Sequence, residues 1–409
     1  MHKLLVYILF CVEVSGFAWA AETSYLPYYR AINCAELAIV EFRFARALSI
    51  YDSIFVQFPK RHSRDLYNAA LCALLCQQPQ KAQQWIMDRI AQGASIKSFK
   101  ASTFMQQPPE FWHAIEQHYD SLRAIVLATR NQWGGFKAVL DTMDSREQRA
   151  LVDERLGEAG YHALLYAHAQ QLYRLIDSAG VPPIAMFGPG QQLPVGVMRH
   201  HFGLRNGLST GMLDTSVAPY RAMDMHRYDV EPLLIKAVHN GDIVPDLAYM
   251  YTTHNDSSTT MGSRHLYQVN IDLNTKTIAI EPNKRANIGK ENIRRSLYGL
   301  PTVEDALRKD VHLVLYYNQD CYPFDEHIQS DLAINFTNSA YDRLAQKEKE
   351  QLLLKRMEAY DRVKSEYMNS LGKRIPHSES QRLLYYNMLI LKDFILPSGG
   401  YVVSETMLK

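Results

Sequence analysis

Apolar residues recur at intervals of three and four along much of the chain, and this period predicts a mainly α-helical protein. Over residues 28–93 the period indicates two helical hairpins. It continues over 110–129, 145–157 and 161–178, which predicts three further helices. Segments rich in proline or glycine separate these stretches. We therefore expect the first half of the chain to be an array of helices.

The following stretch mixes helical periodicity with turn-forming residues. Glycine and proline are concentrated at 180–196, which predicts turns. A short apolar helix is expected at 195–202 and a polar loop from 203 to about 225. A second helix is expected at 228–240, where Gly241 ends it. The middle of the chain is thus predicted to remain mostly helical.

Residues 266–281 alternate between apolar and polar side chains around a polar centre, which predicts a small β-hairpin. The chain from Asn283 onward is expected to form a loop, and weak alternation at 310–317 suggests one more strand. A long charged helix with a heptad-like apolar seam is expected at 339–371, and another helix at 378–394. We expect these two helices to pack together as a C-terminal helical hairpin.

The N-terminal helices carry a spaced pattern of small, aromatic and apolar residues. It begins with Ala47, Tyr51, Ile54 and a terminating Pro59, and it recurs at Ala70, Ala73, Ala82 and Ile86. The step from Ala47 to Ala82 is close to the period of about 34 residues in tetratricopeptide repeats. Residues 25–130 therefore resemble tetratricopeptide-like helical repeats, in which alanines let neighbouring helices approach.

The first twenty residues have the three parts of a secretory signal peptide. His2 and Lys3 form a basic start, residues 4–12 are apolar, and residues 18–20 form a small-x-small end. The apolar run is shorter than the roughly 20 residues that span a bilayer. Residues 1–20 are therefore expected to be cleaved from an exported protein that lies in the periplasm or outside the cell. No stable membrane span is expected after cleavage.

Composition excludes several classes of protein. The chain has 409 residues, 47% of them hydrophobic and 21% charged, which excludes wholesale disorder. Its formal charge of +1 provides no field that would attract nucleic acid, so none is expected as a partner. The length suggests two or three domains. The patterns divide the chain into the repeats at 25–130, a mostly helical domain at 140–310 and a helical region at 311–409.

Four cysteines remain after the expected cleavage: Cys34, Cys72, Cys76 and Cys321. In an oxidising compartment they allow three complete disulfide pairings, and the sequence does not choose among them. Cys72 and Cys76 stand four residues apart on one helix face, a poor geometry for a mutual disulfide. They could ligate a metal, but no second pair accompanies them. We therefore expect packing between helices, and we predict neither a metal nor a cofactor.

Residues 140–310 resemble a bacterial family of exported domains of unknown function, which is often attached to helical repeats. The matching pieces are His200-His201, Pro232-Leu233-Leu234 with Ala237-Val238 and Gly241, Tyr267-Gln268, and Arg294-Arg295 before Tyr298-Gly299-Leu300-Pro301. In this resemblance His201 corresponds to the family's histidine. The resemblance implies an architecture and no particular reaction, cofactor or substrate.

The same pieces supply the candidate binding residues: His200, His201, Tyr267, Gln268, Arg294 and Arg295. Imidazoles can ligate or titrate, and guanidinium groups can hold a carboxylate or phosphate. The structural alternatives are a buried histidine on a hydrogen bond and arginine ion pairs with Glu291 or Glu304. Adjacent helical residues point about 100° apart, so only one of the two histidines can face a given site.

Two functions are compatible with these features. The first is an exported helical-repeat protein that binds a protein or peptide, or acts as an envelope scaffold. The second is a small-ligand binder or hydrolytic enzyme that uses His201, Arg294 and Arg295 around one pocket. The chain contains no HExxH, CxxC or GxGxxG frame, which favours binding and leaves catalysis open.

Overall fold

A computed structural model gives the fold, which is mainly α-helical as the periodicity predicts. The structure describes the following residues: 24–41, 43–101, 107–187, 193–253, 267–272, 277–282, 287–306, 308–309 and 335–337. The predicted signal peptide at 1–20, the strand at 310–317 and the helices at 339–371 and 378–394 lie outside the described residues. Those expectations therefore stay predictions.

The helices of the predicted repeats are α1 (Leu26–Val40), α2 (Phe44–Gln57), α3 (Ser63–Leu75) and α4 (Pro79–Ala91). The next are α5 (Ile96–Ala101), α6 (Pro109–Glu116), α7 (Tyr119–Gln132), α8 (Gly134–Ala150) and α9 (Gly157–Ala179). After a 3₁₀ turn at Ile184–Met186 come α10 (Val195–Ser209), α11 (Ala218–Arg221), α12 (Glu231–His239), α13 (Pro245–Thr253) and α14 (Ile288–Leu297).

The helices α1 to α4 form two helical hairpins that pack side by side. The small residues singled out in the sequence lie between these helices, where Ala47, Ala70 and Ala82 are fully buried. Tyr51 is also fully buried, one turn after Ala47. Alanines at these positions let the helix backbones approach, and the tyrosine ring fills the space beside them.

Two predicted helices differ from the observed ones. The expected helix at 110–129 is divided into α6 and α7, which both pack on α4. A straight helix of 20 residues would be about 30 Å long, whereas a 13-residue partner such as α4 measures about 20 Å. The turn at 117–118 lets both pieces contact the shorter helix. The helix expected at 145–157 instead spans Gly134–Ala150, because Phe136, Leu140 and Met143 form one buried stripe.

The middle of the chain is more helical than expected. The predicted loop from residue 203 begins as a continuation of α10, because Leu204 and Gly207 extend its buried face. The helix expected from 228 begins at Glu231, and α13 was not predicted. The expectation of a loop after Asn283 is wrong over α14, which Asn287 caps by accepting a hydrogen bond from the backbone N of Lys290.

Three short strands form one small sheet in the order β2-β1-β3. β1 (Tyr267–Asp272) pairs antiparallel with β2 (Thr277–Pro282), with Val269 opposite Ile280. β3 (Asn335–Thr337) pairs parallel with β1, with Val269 opposite Phe336. The two antiparallel strands lie within one residue of the range 266–281 in which alternation occurs.

The largest hydrophobic cluster among the described residues runs from α1 to α4 into the later helices. It includes Tyr25 and Tyr29 of the first helical hairpin, Val238 of α12 and Tyr298 after α14. Backbone and side-chain hydrogen bonds cross the same boundary: the backbone N of Tyr25 donates to the carbonyl of His239, and the Tyr29 hydroxyl donates to the carbonyl of Val238. The helices α1 to α4 therefore share a core with the region that follows them.

Gly241 provides one test of this shared core. Its φ of 71° is left-handed, and a Cβ there would lie 2.6 Å from the ring of Tyr25. We expect Gly241→Ala to lower the free energy of unfolding by about 2–3 kcal/mol, through backbone strain and overlap with the ring. Gly211 is the control, because its φ is 72° and no atom lies within 4 Å of its added Cβ. Gly211→Ala should cost only about 1 kcal/mol in urea unfolding. Equal losses would contradict the close approach of Gly241 to Tyr25.

Within the residues that the structure describes, no helix combines the length and the apolar character needed to cross a bilayer. Cys34, Cys72 and Cys76 are free thiols among those residues, and Cys321 lies outside them. Cys72 is buried between the helices, and burial raises the pKa of its thiol well above the usual value.

Candidate functional site

Three helices bring two histidines onto one buried glutamate. Glu147 of α8 is 1% exposed, and its two carboxylate oxygens face different rings. Its Oε1 lies 2.6 Å from Nδ1 of His168 on α9, and its Oε2 lies 2.6 Å from Nδ1 of His200 on α10. Gly196 lets α10 approach α8, since a Cβ there would lie 2.8 Å from the side chain of Asp144. We call Glu147, His168 and His200 the glutamate–histidine cluster.

The carboxylate of Glu147 determines which nitrogen of each ring donates a hydrogen bond to it. Burial raises the pKa of this carboxyl, but the hydrogen bonds from His168 and His200 outweigh burial and hold the pKa below its usual value. An ionised carboxylate only accepts hydrogen bonds, so we assign a proton to Nδ1 of each ring. The second nitrogen of each ring, Nε2, then lies on the side away from Glu147. This arrangement orients an imidazole in the way that carboxylates orient histidines in metal and catalytic sites.

His168 is the member of this cluster that lines a pocket. The ring is 4% exposed, and its Nε2 is closed to solvent and has no hydrogen-bond partner within the described part of the chain. A buried polar nitrogen without a partner costs about 1–3 kcal/mol. The pocket has a volume of about 280 Å³, and its lining includes Val139, Thr142, Met143, Arg146, His168 and Gln171. Thr142, Arg146 and Gln171 are exposed, so the pocket opens to solvent.

His201 lies on a different face of α10 from His200. It is 3% exposed, it packs edge-on against Phe202, and neither ring nitrogen has a hydrogen-bond partner among the residues described. Burial, aided by the positive charge of Arg205, lowers the pKa of His201 from 6.5 to about 3. His201 is therefore a neutral residue of the helical core at neutral pH.

The two arginines point to different partners. Nη2 of Arg294 lies 3.7 Å from Oε1 of Glu231, and its guanidinium stacks over the ring of Tyr249. Arg295 is fully buried and donates from Nε to the carbonyl of Pro301 at 2.6 Å. Arg295 thus closes the turn after α14, whereas Arg294 joins the ion pairs of Glu231.

The pocket predicted around His201, Arg294 and Arg295 stays a prediction. No hydrogen bond joins either nitrogen of His201 to the two arginines. The positive charge of Arg205 acts on His201, where it lowers the pKa of the ring, and Arg205 also pairs with Glu231. Tyr267 and Gln268 lie on β1, and their side chains are outside the described residues.

A serine frame in α10 also resembles a catalytic motif. Residues 207–211 read Gly-Leu-Ser-Thr-Gly, which fits the GxSxG frame of serine hydrolases. In those enzymes the serine sits on a sharp turn between a strand and a helix. Here Ser209 is the exposed last residue of α10, and its hydroxyl donates to the carbonyl of Asn206 at 3.1 Å. The frame therefore marks a helix end and not a nucleophile.

Sequence reasoning found His200 but missed Glu147 and His168. A signal was present, because each missed residue continues a buried apolar stripe. Glu147 follows Phe136, Leu140 and Met143 at helical spacing, and His168 stands between Leu165 and Leu172. A titratable residue at a core position needs a partner, and this requirement points to a buried polar cluster.

Comparison with protein-family models, curated proteins and solved structures gave no match. The resemblance of residues 140–310 to an exported domain family therefore stays a prediction. No group of three or more His, Cys, Asp or Glu side chains within the described ranges is arranged to hold a metal ion.

Stability in acid should depend on His201. Its pKa is 6.5 when unfolded and about 3 when folded, so the unfolded chain binds a proton that the folded chain excludes. The contribution to stability is complete above pH 6.5 and is lost as the pH falls towards 3. The free energy of unfolding of the natural chain should fall relative to that of His201→Leu by about 2 kcal/mol between pH 7 and pH 5. The slope below pH 6.5 should be about 1.4 kcal/mol per pH unit. Urea unfolding at several pH values measures this difference, and parallel curves for the two proteins would contradict it.

Proposed function

We propose that this chain is an exported helical-repeat protein that binds a protein or peptide partner and acts as a scaffold in the periplasm or outside the cell. The observation that carries the proposal is the packing order of the helices. Each of α1 to α4 packs on its neighbour in sequence, α4 packs on α6 and α7, and α7 packs on α8. Layered packing of this kind is typical of repeat proteins, whose long surfaces bind partners.

One face of the repeats is already covered by the chain itself. Arg64 of α3 pairs with Asp246 of α13 at 3.1 Å, and Lys60 pairs with Asp242 at 2.5 Å. Glu36 of α1 pairs with Lys309, and both residues are fully buried. A partner would therefore bind elsewhere on the helices of the array.

Exposed apolar residues on α2 and α7 favour those helices as the binding surface. Val56 near the end of α2 is 87% exposed, and Ile125 and Leu127 of α7 are each at least half exposed. Each of these side chains leaves apolar surface in water, which the binding of a partner would bury.

Photo-crosslinking tests this proposal. A photoreactive amino acid would replace Val56 or Ile125 in the full chain, expressed with residues 1–20 in cells that make the protein naturally. The control position is Ser121, an exposed polar residue of α7. We expect one protein to be captured reproducibly from Val56 or Ile125, and less of it from Ser121. The mass of the capturing chain should be that of a protein that starts at Ala21. An intact leader would refute export, and equal or no capture at all three positions would refute partner binding by this surface.

A further inference from the structure

We propose that the pocket between α8 and α9 binds a small aliphatic carboxylic acid that carries a hydroxyl or amino group. The inference goes beyond partner binding, because it concerns other helices and another kind of ligand. It rests on three features of one pocket: a cation at its opening, an apolar wall, and a buried imidazole whose Nε2 has no hydrogen-bond partner among the described residues.

Arg146 supplies the cation. It precedes Glu147 on α8, its side chain is exposed at the pocket, and no ion pair of Arg146 occurs among the described residues. A guanidinium group binds a carboxylate through two parallel hydrogen bonds. Thr142 and Gln171 stand at the same opening and add polar groups. The acid group of the ligand therefore belongs at this end.

The wall and the size of the pocket limit the rest of the ligand. Val139 and Met143 present apolar surface, which fits a short aliphatic chain better than a phosphate or a sugar. The volume of about 280 Å³ lies just below the range of about 300 to 1,000 Å³ that is usual for small-molecule sites. The ligand is consequently smaller than a typical drug or a nucleotide.

His168 requires a hydrogen-bond donor on the ligand. Nδ1 donates to Glu147, and we assign Nε2 as the acceptor that faces the ligand. A hydroxyl or amino group satisfies this acceptor, whereas a plain hydrocarbon does not. Nε2 is closed to solvent, so this contact needs a small shift of the lining side chains. Glu147 holds the ring in place, and it is a positioning residue for this site.

Calorimetric titration of the full mature chain tests the assignment with four probes of similar size. 2-Hydroxyisocaproate and leucine carry both groups, isocaproate lacks the donor, and leucinamide lacks the carboxylate. We expect at least one of the first two to bind, with affinity reduced at least tenfold for isocaproate and for leucinamide. The relative affinity of the first two distinguishes a hydroxyl from an amino ligand.

Two exposed arginines of α8 provide a matched comparison, because replacing either one leaves the buried core unchanged. Arg146→Gln should weaken binding about 10- to 100-fold, because it removes the charged partner of the carboxylate. Arg149→Gln should leave binding unchanged, since Arg149 is an exposed arginine of the same helix that bonds the carbonyl of Ser145. Three results would each overturn the proposal. Neither 2-hydroxyisocaproate nor leucine binds, leucinamide binds as tightly as they do, or Arg146→Gln and Arg149→Gln have equal effects.

Discussion

Replacing Lys309 by Met is expected to lower the free energy of unfolding by about 3–5 kcal/mol. Nζ of Lys309 lies 2.5 Å from Oε2 of Glu36, and neither side chain has any exposed surface. Removal of the lysine leaves the carboxylate of Glu36 buried, with Nε of Arg64 at 3.9 Å as a remaining cation. The penalty arises because the buried carboxylate loses its nearest cation, and not from lost apolar contact, since methionine keeps most of the volume of lysine.

Two variants separate this mechanism from a general loss of packing. Arg308→Met removes the neighbouring ion pair to Glu41, which is partly exposed, and should cost no more than about 1 kcal/mol. The double variant Lys309→Met with Glu36→Met replaces the pair by apolar side chains and should recover at least half of the loss. Urea unfolding followed by circular dichroism measures all three proteins. A double variant less stable than Lys309→Met would contradict this explanation.

Glu147→Leu is expected to cost about 3–5 kcal/mol, because it leaves two Nδ1 donors without their acceptor at a site that is 1% exposed. Glu147→Gln keeps one oxygen and should cost only about 1–2 kcal/mol. The pKa of Glu147 is lowered in the folded chain, so its ionised form contributes stability above the unfolded value of 4.5. That contribution is lost as the pH falls through the folded pKa.

Urea unfolding of the two Glu147 variants at pH 7 and at pH 3 measures both effects. The difference between the natural chain and Glu147→Gln should shrink at the lower pH. Histidine nitrogen signals in NMR should report protonated Nδ1 atoms on His168 and His200 in the natural chain at pH 7. If Glu147→Leu is as stable as Glu147→Gln, the two hydrogen bonds do not hold the three helices together.

Local patterns in the sequence predicted those parts of the fold that depend on neighbouring residues. The alanines at 47, 70 and 82 predicted the first two helical hairpins, because small residues at helical spacing let a neighbouring helix pack closely. The division between α6 and α7 could not be predicted, since it depends on the length of α4. The helix α14 is short, so its apolar period is weak, and the cap at Asn287 is the local signal of where it begins.

The candidate site was harder to predict because its members lie far apart in sequence. Glu147 and His200 are 53 residues apart, and His168 lies on a third helix. His200 and His201 were both predicted to bind a ligand, but their rings face different environments. Arg294 and Arg295 looked alike in sequence, whereas one joins ion pairs near Glu231 and the other closes a backbone turn.

Hydrogen exchange in increasing urea tests most directly whether the first four helices and the later helices unfold as one unit. Backbone amides of α1 and of α12 would be followed by mass spectrometry in the same full-length sample. Since Tyr25 and Tyr29 of the first hairpin pack and hydrogen-bond with α12, we expect both helices to lose protection at the same urea concentration. Loss of protection in α12 at a clearly lower concentration, while α1 stays protected, would contradict a shared core.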